Sequence, residues 1–457
     1  MTQEPFETRT PGQDDAQPPL LRTIGPFQLT LYGLGSMLGA GIYGLVGKAA
    51  GQLGSAIWIA FVVSMVAALL TGLSYASIAS RYPKAAGAAY VTHRAYGKPL
   101  LSYLVGLAVV CSGLTSIATQ SNVVAANLKQ LFGWQTVPIE VLALGFLLLV
   151  AGVLVRGIRE SLWFNLICTG IEAAGLLLVI AVGVDHWGSV SLLEFPADTD
   201  GSLALIVMQG AVLTFFSFIG FEDMLNVSEE VKRPERNMPI ALISAMLIAT
   251  AIYLAVAVTA VSVVPWQELA AAAGPLTSVV ERAAPWFPAV GFTFITIFAV
   301  ANTALINYLM ASRMLYGMSN QGLMPKAFGR VHARRQTPHV AIAALFLVVA
   351  ALALVGDIKE LASATVLLLL CVFVVVNMAL VVLKRRRGEP RGRFEVPLAV
   401  PLLGALVCLS LIVVRVSEGD ILAPAIATGL LVLIGVLYVV TGAGKGDRLA
   451  RFTQTES

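Results

Sequence analysis

The sequence predicts an all-α membrane protein with twelve transmembrane helices, and three observations carry that prediction. Of its 457 residues, 58% are hydrophobic and only 12% charged, against about 25% charged in an ordinary globular domain. The apolar residues fall in long runs of the roughly 20 residues that a bilayer-crossing helix needs, not in the short alternating segments of an outer-membrane barrel. Lys and Arg gather in alternate connecting loops.

Taken in order, the spans fall near 25–51, 54–80, 98–128, 138–156, 161–184, 203–228, 238–264, 287–315, 338–356, 361–383, 397–415 and 422–442. Residues 1–24 carry Glu4, Glu7, Asp14 and Asp15 and read as a polar cytoplasmic tail, not a cleavable signal. Residues 443–457 read as a second cytoplasmic tail. With the amino terminus inside, the outer face receives Lys48, Lys129, Arg282, Lys359 and Arg415, and the other 25 of the 30 Lys and Arg lie inside. The positive-inside rule then places both termini in the cytoplasm of a multi-pass inner-membrane protein. Trp134, Trp187, Trp266 and Trp286 fall at outer span ends, as interfacial aromatics should.

The basic clusters, among them Lys384 to Arg387, read as topology determinants, and the net charge of +4 calls for no nucleic acid. Residues 84–97 are mildly amphipathic and suit a short helix on the inner surface; residues 265–285 suit an outer helical lid. Cys111, Cys168, Cys371 and Cys408 lie inside apolar runs and form no disulfide or metal set. The four histidines (His93, His186, His332, His339) are expected in loops, which leaves no buried histidine relay. No Ser–His pairing or metal-ligand cluster supports an enzyme, and no cofactor is expected. A channel would need a continuous polar pore, whereas the intramembrane polar residues gather at one level.

Two spans cannot be straight helices. The first contains Gly35-Ser36-Met37-Leu38-Gly39-Ala40-Gly41-Ile42-Tyr43-Gly44, where each glycine costs about 1 kcal/mol of helix propensity against alanine. The sixth contains Phe215-Phe216-Ser217-Phe218-Ile219-Gly220-Phe221-Glu222-Asp223, where adjacent carboxylates enter an apolar run and call for a cavity or the bundle interior. Close helix packing through the Gly35/Gly39 spacing is the alternative for the first. The two interruptions lie five crossings apart, so two five-span units would have opposite orientations, the arrangement of inverted repeats around a midplane site. A break near Gly39–Gly41 exposes N–H groups that suit a carboxylate. A break near Ser217–Gly220 exposes carbonyls that suit an ammonium group. Together they describe the backbone of an α-amino acid, with Tyr43, Phe215, Phe216, Phe218 and Phe221 available to close over it.

These residues resemble a known family. Gly35 to Tyr43 is similar to the first-span signature of the amino acid–polyamine–organocation (APC) superfamily. Ser74 to Tyr90, Phe218 to Asp223, Ser228 to Pro239 and Arg313 to Pro325 extend the match in order across spans one to eight. The likeness is greatest to its amino acid permeases, notably bacterial relatives of cationic amino acid transporters. The resemblance implies a leucine-transporter-like fold: inverted five-helix repeats at 25–184 and 203–383, then two additional helices at 397–442. It implies an importer working by alternating access. Its carboxylate seat maps to Ser36, Met37, Gly39, Ala40 and Gly41, and its ammonium and side-chain subsite to Phe216, Ser217, Phe218 and Ile219. Gating falls to Tyr43, Phe221 and Glu222. Ala40 stands where many relatives have serine, so backbone amides must carry more of the binding.

Glu172, in the middle of span five, stands where some proton-coupled relatives have lysine. A carboxyl there can bind and release a proton, so Glu172 is the candidate coupling group and H+ the expected coupling ion. A sodium site using Thr303, Ser312 or Glu172, and amino acid/polyamine exchange, are the alternatives. Glu229 and Glu230 with Lys232, Arg233 and Arg236 are expected to form inner-face charge pairs. The sequence names neither the amino acid carried nor an oligomeric state.

Overall fold

The computed structural model describes residues 22, 24–82, 87–156, 162–196, 202–320, 324–330, 337–417, 419 and 421–441. The expected tails lie almost wholly outside these, as do His332 and the side chains of Glu229 and Glu230. Among the described residues the regular structure is helical, apart from one isolated bridge between Ile24 and Val231.

The first expected span is two helices, α1 (Pro26–Met37) and α2 (Ala40–Leu53). Proline opens α1, where its missing N–H costs nothing. Gly54 ends α2 at φ 64°, a conformation open to glycine. Next come α3 (Ile57–Arg81), α4 (Gly87–Tyr96), α5 (Pro99–Phe132), α6 (Ile139–Arg156) and α7 (Leu162–Gly183). The short helix expected near 84–97 is α4, and His93 lies within it, not in a loop.

The sixth span starts as α8 (Leu203–Phe215), capped by Ser202, whose hydroxyl accepts the Leu205 N–H at 3.4 Å. It then narrows to a 3-10 turn over Phe216–Phe218 and resumes as a 3-10 helix over Phe221–Glu230. Beyond it lie α9 (Pro234–Val263), two short helices α10 (Trp266–Ala271) and α11 (Pro275–Ala283) in the stretch expected to be helical, and α12 (Ala289–Asn320). The chain closes with α13 (His339–Val355), α14 (Ile358–Arg385), α15 (Ala399–Ser417) and α16 (Leu422–Thr441). His339 is the first residue of α13, a second correction to the loop expectation.

Among the described residues nine helices are long and apolar enough to cross a membrane, and two more apolar helices, Ile139–Val155 and His339–Val355, are shorter. The protein is a multi-pass helical membrane protein. Helix α3 packs on α9, α5 on α12 and α14, and α6 on α13; α15 and α16 lean on α14. Lipid supplies no hydrophobic force between helices, so buried hydrogen bonds and close packing join them. Ser64 Oγ lies 2.6 Å from Thr214 Oγ1, Thr365 Oγ1 2.6 Å from Thr115 Oγ1, and Asn377 Nδ2 donates to Thr71 Oγ1 at 3.1 Å. Outward residues such as Leu347, Leu406 and Val439 are exposed, as lipid-facing side chains are. Arg415, assigned above to the outer face, is buried within the protein in the last turn of α15.

At the basic end, the loop after α14 is tied to the end of α3 and to α4. Arg81 Nε meets Glu395 Oε1 at 2.6 Å, and Lys384 joins the same carboxylate. Arg94 Nε meets Glu389 Oε2 at 2.8 Å, and Tyr82 donates to that oxygen at 2.7 Å. Partial burial opposes ionisation of Glu395, but the donors Arg81, Lys384 and the Gly392 N–H hold its carboxyl down to about 2.

Candidate functional site

Both interrupted helices stop in mid-course, side by side. Helix α1 makes its last bond from the Leu38 N–H to Leu34 O at 2.7 Å, and α2 makes its first from the Tyr43 N–H to Gly39 O at 3.0 Å. Leu38 and Gly39 between them are extended, a residue or two earlier than the glycine pattern alone placed the break. The N–H groups of Ala40, Gly41 and Ile42 therefore have no intrahelical acceptor, and α2 presents the positive end of its dipole to them. In the sixth span Ile219 is extended, and Gly220 sits at φ 120°, where a side chain is strained. The Gly220 N–H is taken by Glu222 Oε2 at 3.0 Å.

The breaks interlock. A β-carbon on Gly220 would stand 2.5 Å from Ser36 O, and one on Gly41 2.5 Å from Ser217 Cα. The Tyr253 hydroxyl on α9 lies 2.8 Å from both Met37 O and Ser217 O, one carbonyl from each broken span. Thr303 Oγ1 on α12 lies 3.4 Å from Leu38 O. A Cβ on Gly39 would meet the same hydroxyl at 2.8 Å.

A cavity opens between the breaks. Of the residues expected there, Ser36, Met37, Gly39, Gly41, Phe216 and Ile219 line it; Gly220, Asp223 and Thr303 join them, with Ser116, Gln120 and Asn307 from α5 and α12. The last three were missed by the sequence reading, although Ser112, Ser116 and Gln120 recur every fourth residue of α5 and could have marked a polar face.

Other expected residues lie behind the lining. Ser217 is fully buried and its carbonyl is engaged by Tyr253. Phe218 packs edge-on against the Tyr253 ring at 5.4 Å; Phe221 packs edge-on against Tyr75 at 5.7 Å and lies tilted on Phe373 at 5.2 Å. Phe215 packs on Phe373 at 6.2 Å. These aromatics stiffen the core around the site; only Phe216 of the expected ring borders the space. Of the adjacent carboxylates Asp223, not Glu222, lines the cavity. The side chain of Ala40 lies outside the described residues.

Glu172 is fully buried on α7. Asn302 Nδ2 on α12 donates to its Oε1 at 3.1 Å, and its Oε2 has no partner among the described residues. Tyr43, on the first turn of α2, donates to the Glu172 main-chain oxygen at 2.6 Å. The carboxyl does not line the cavity; its partner Asn302 precedes the lining residue Thr303 on α12.

Two discontinuous helices meeting at a polar cavity inside a multi-pass bundle are the arrangement of a membrane transporter. Comparison with known sequences agrees: a family model described as "Amino acid permease" matches residues 24–440. The chain belongs to that family, within the APC superfamily, and is a transporter and not an enzyme. It is similar to the methylthioribose transporter of Bacillus subtilis, at 29% identity over 85% of this chain and 87% of that protein. It is also similar to the branched-chain amino acid permease BcaP of the same organism, at 27% over 86% and 88%. A vacuolar cationic amino acid transporter 4 of Arabidopsis thaliana shares 28% over 87% of this chain and 68% of its own.

Proposed function

We propose that the protein is a secondary active transporter that imports amino acids by alternating access. The observation that carries this reading is the meeting of the Leu38–Gly39 and Ile219–Gly220 interruptions at one cavity. The N–H groups that open α2 suit the substrate carboxylate, beside Ser36, Met37 and Gly39. The main chain around Phe216–Ile219 suits the ammonium group, although Tyr253 already engages the Ser217 carbonyl.

Twelve crossings, as inverted repeats at 25–184 and 203–383 with an added pair at 397–442, fit the packing. Spans five apart lie against one another: α2 on α8, α3 on α9, α5 on α12 and α6 on α13. Both termini are cytoplasmic in this reading, and the membrane is the inner one. Glu172 couples transport to H+: its carboxyl is buried beside Asn302, and its helix is fastened to α2 by Tyr43. Phe221 and Glu222 brace the second half of the sixth span as it moves.

A thermal-shift screen of the purified protein tests this, because a ligand that binds only the folded state raises its stability. The expected hits carry a free α-carboxylate and α-amine. A second reading comes from the similarity to a protein named for methylthioribose, which has no carboxylate. Stabilisation by that compound and by no amino acid would replace the first reading with the second.

A further inference from the structure

The cavity also carries information about the substrate's side chain, on the premise that the amino acid reading above holds. Ser116 and Gln120 lie one turn apart on α5 and Asn307 faces them from α12. Ser116 Oγ lies 3.2 Å from Gln120 Nε2 and 3.3 Å from Asn307 Nδ2. Gln120 is 1% exposed, and its Oε1 has no partner among the described residues.

The Asn307–Ser116 bond joins α12 to α5, but helix packing leaves Gln120 Oε1 unused. On the same helix Thr115 meets Thr365 at 2.6 Å, and Asn122 donates to Gly356 O at 3.1 Å. Those polar residues join helices. Asn122 Oδ1 also lacks a partner among the described residues, but Asn122 does not line the cavity; Gln120 does, so its unpaired Oε1 lies within reach of a ligand, and a buried amide oxygen left unpaired is costly. Among the described residues, the one ionisable side chain lining the cavity is Asp223, which adds a carboxylate to the same space.

We propose that Ser116, Gln120 and Asn307 form a side-chain subsite that selects amino acids bearing hydroxyl, amide or ammonium donors over aliphatic and acidic ones. An aliphatic side chain would displace water from Gln120 and return no hydrogen bond. An acidic one would add a second negative charge beside Asp223. A site built to hydrogen-bond its ligand rejects an analogue of equal shape that lacks the group.

The test uses pairs of matched shape: threonine against valine, and asparagine against leucine and aspartate. Each is titrated by thermal shift against the purified full chain, and against Gln120→Leu and Asn307→Leu. The expected result is threonine and asparagine binding on the order of tenfold to a hundredfold more tightly than their partners. That ratio should collapse in Gln120→Leu, with valine and leucine gaining. Equal binding of both members of each pair by the wild-type chain, or a ratio unchanged in both variants, overturns the subsite and leaves the amino acid reading intact. Absence of a shift with every α-amino acid overturns that reading and the subsite with it.

Discussion

Gly41 and Ser217 meet main chain to main chain: a β-carbon on the first would fall 2.5 Å from Cα of the second. They belong to spans five apart, and this contact brings the start of α2 against the 3-10 turn that follows α8. Gly220 and Ser36 make the corresponding approach from the other halves of the same two spans.

Gly41→Ala is therefore expected to force the breaks apart. Overpacking of this kind costs about 1–3 kcal/mol, and uptake should fall further than stability because the binding main chain is displaced. Gly429→Ala, where a β-carbon meets nothing within 4 Å, is the control. Equal uptake and equal melting temperature for the two variants would show that the contact is dispensable.

The Tyr253 hydroxyl spans the breaks, at 2.8 Å from Met37 O and from Ser217 O. Tyr253→Phe keeps the ring that packs on Phe218 and Phe61 and removes only that link. Leaving buried carbonyls unpaired costs about 1–3 kcal/mol. The variant should insert and purify normally while substrate affinity falls, read as a higher KM in proteoliposome uptake; an unchanged KM would refute the link.

Glu172→Gln keeps the size of the side chain and the partnership with Asn302 but cannot take up and release a proton. Substrate binding should persist, and the acceleration of uptake by an inward proton gradient should vanish. A variant that responds to the gradient as wild type does would remove Glu172 from coupling.

The basic-end clamp should be insensitive to pH across the physiological range. Despite partial burial, its ion pairs hold the Glu395 carboxyl at about 2, below the ordinary value of 4.5. A carboxyl depressed by folding stabilises the fold above its unfolded value and loses that contribution as pH falls towards the folded one. The difference in melting temperature between wild type and Glu395→Gln should hold from pH 8 to 5 and shrink below about 4.5. A difference that instead disappears between pH 7 and 5 would contradict this assignment.

Much of the site was legible residue by residue. Glycines at 35, 39, 41 and 44 announced a broken first span, and the break lies among them because helix propensity is a property of the local chain. The sixth-span break was marked by Gly220 beside two carboxylates. The aromatics were less readable: Phe218 and Phe221 look like a lid in sequence, but they pack on Tyr253 and Phe373 from other helices. Ser116 and Gln120 stand in a stripe with Thr115 and Thr119, and nothing along the chain separates residues that join helices from residues that face a cavity.

The sequence by itself determined that this chain lives in a membrane, where its helices lie and where two of them fail, because apolar run length and backbone propensity are set by neighbours within a few residues. Only the tertiary structure decided that Gly41 meets Ser217, that Tyr253 bridges both breaks, and that Asp223 and not Glu222 borders the cavity. Those outcomes depend on how helices far apart in the chain rotate against one another. In lipid, side-chain fit and buried hydrogen bonds set that rotation, and no local pattern encodes it.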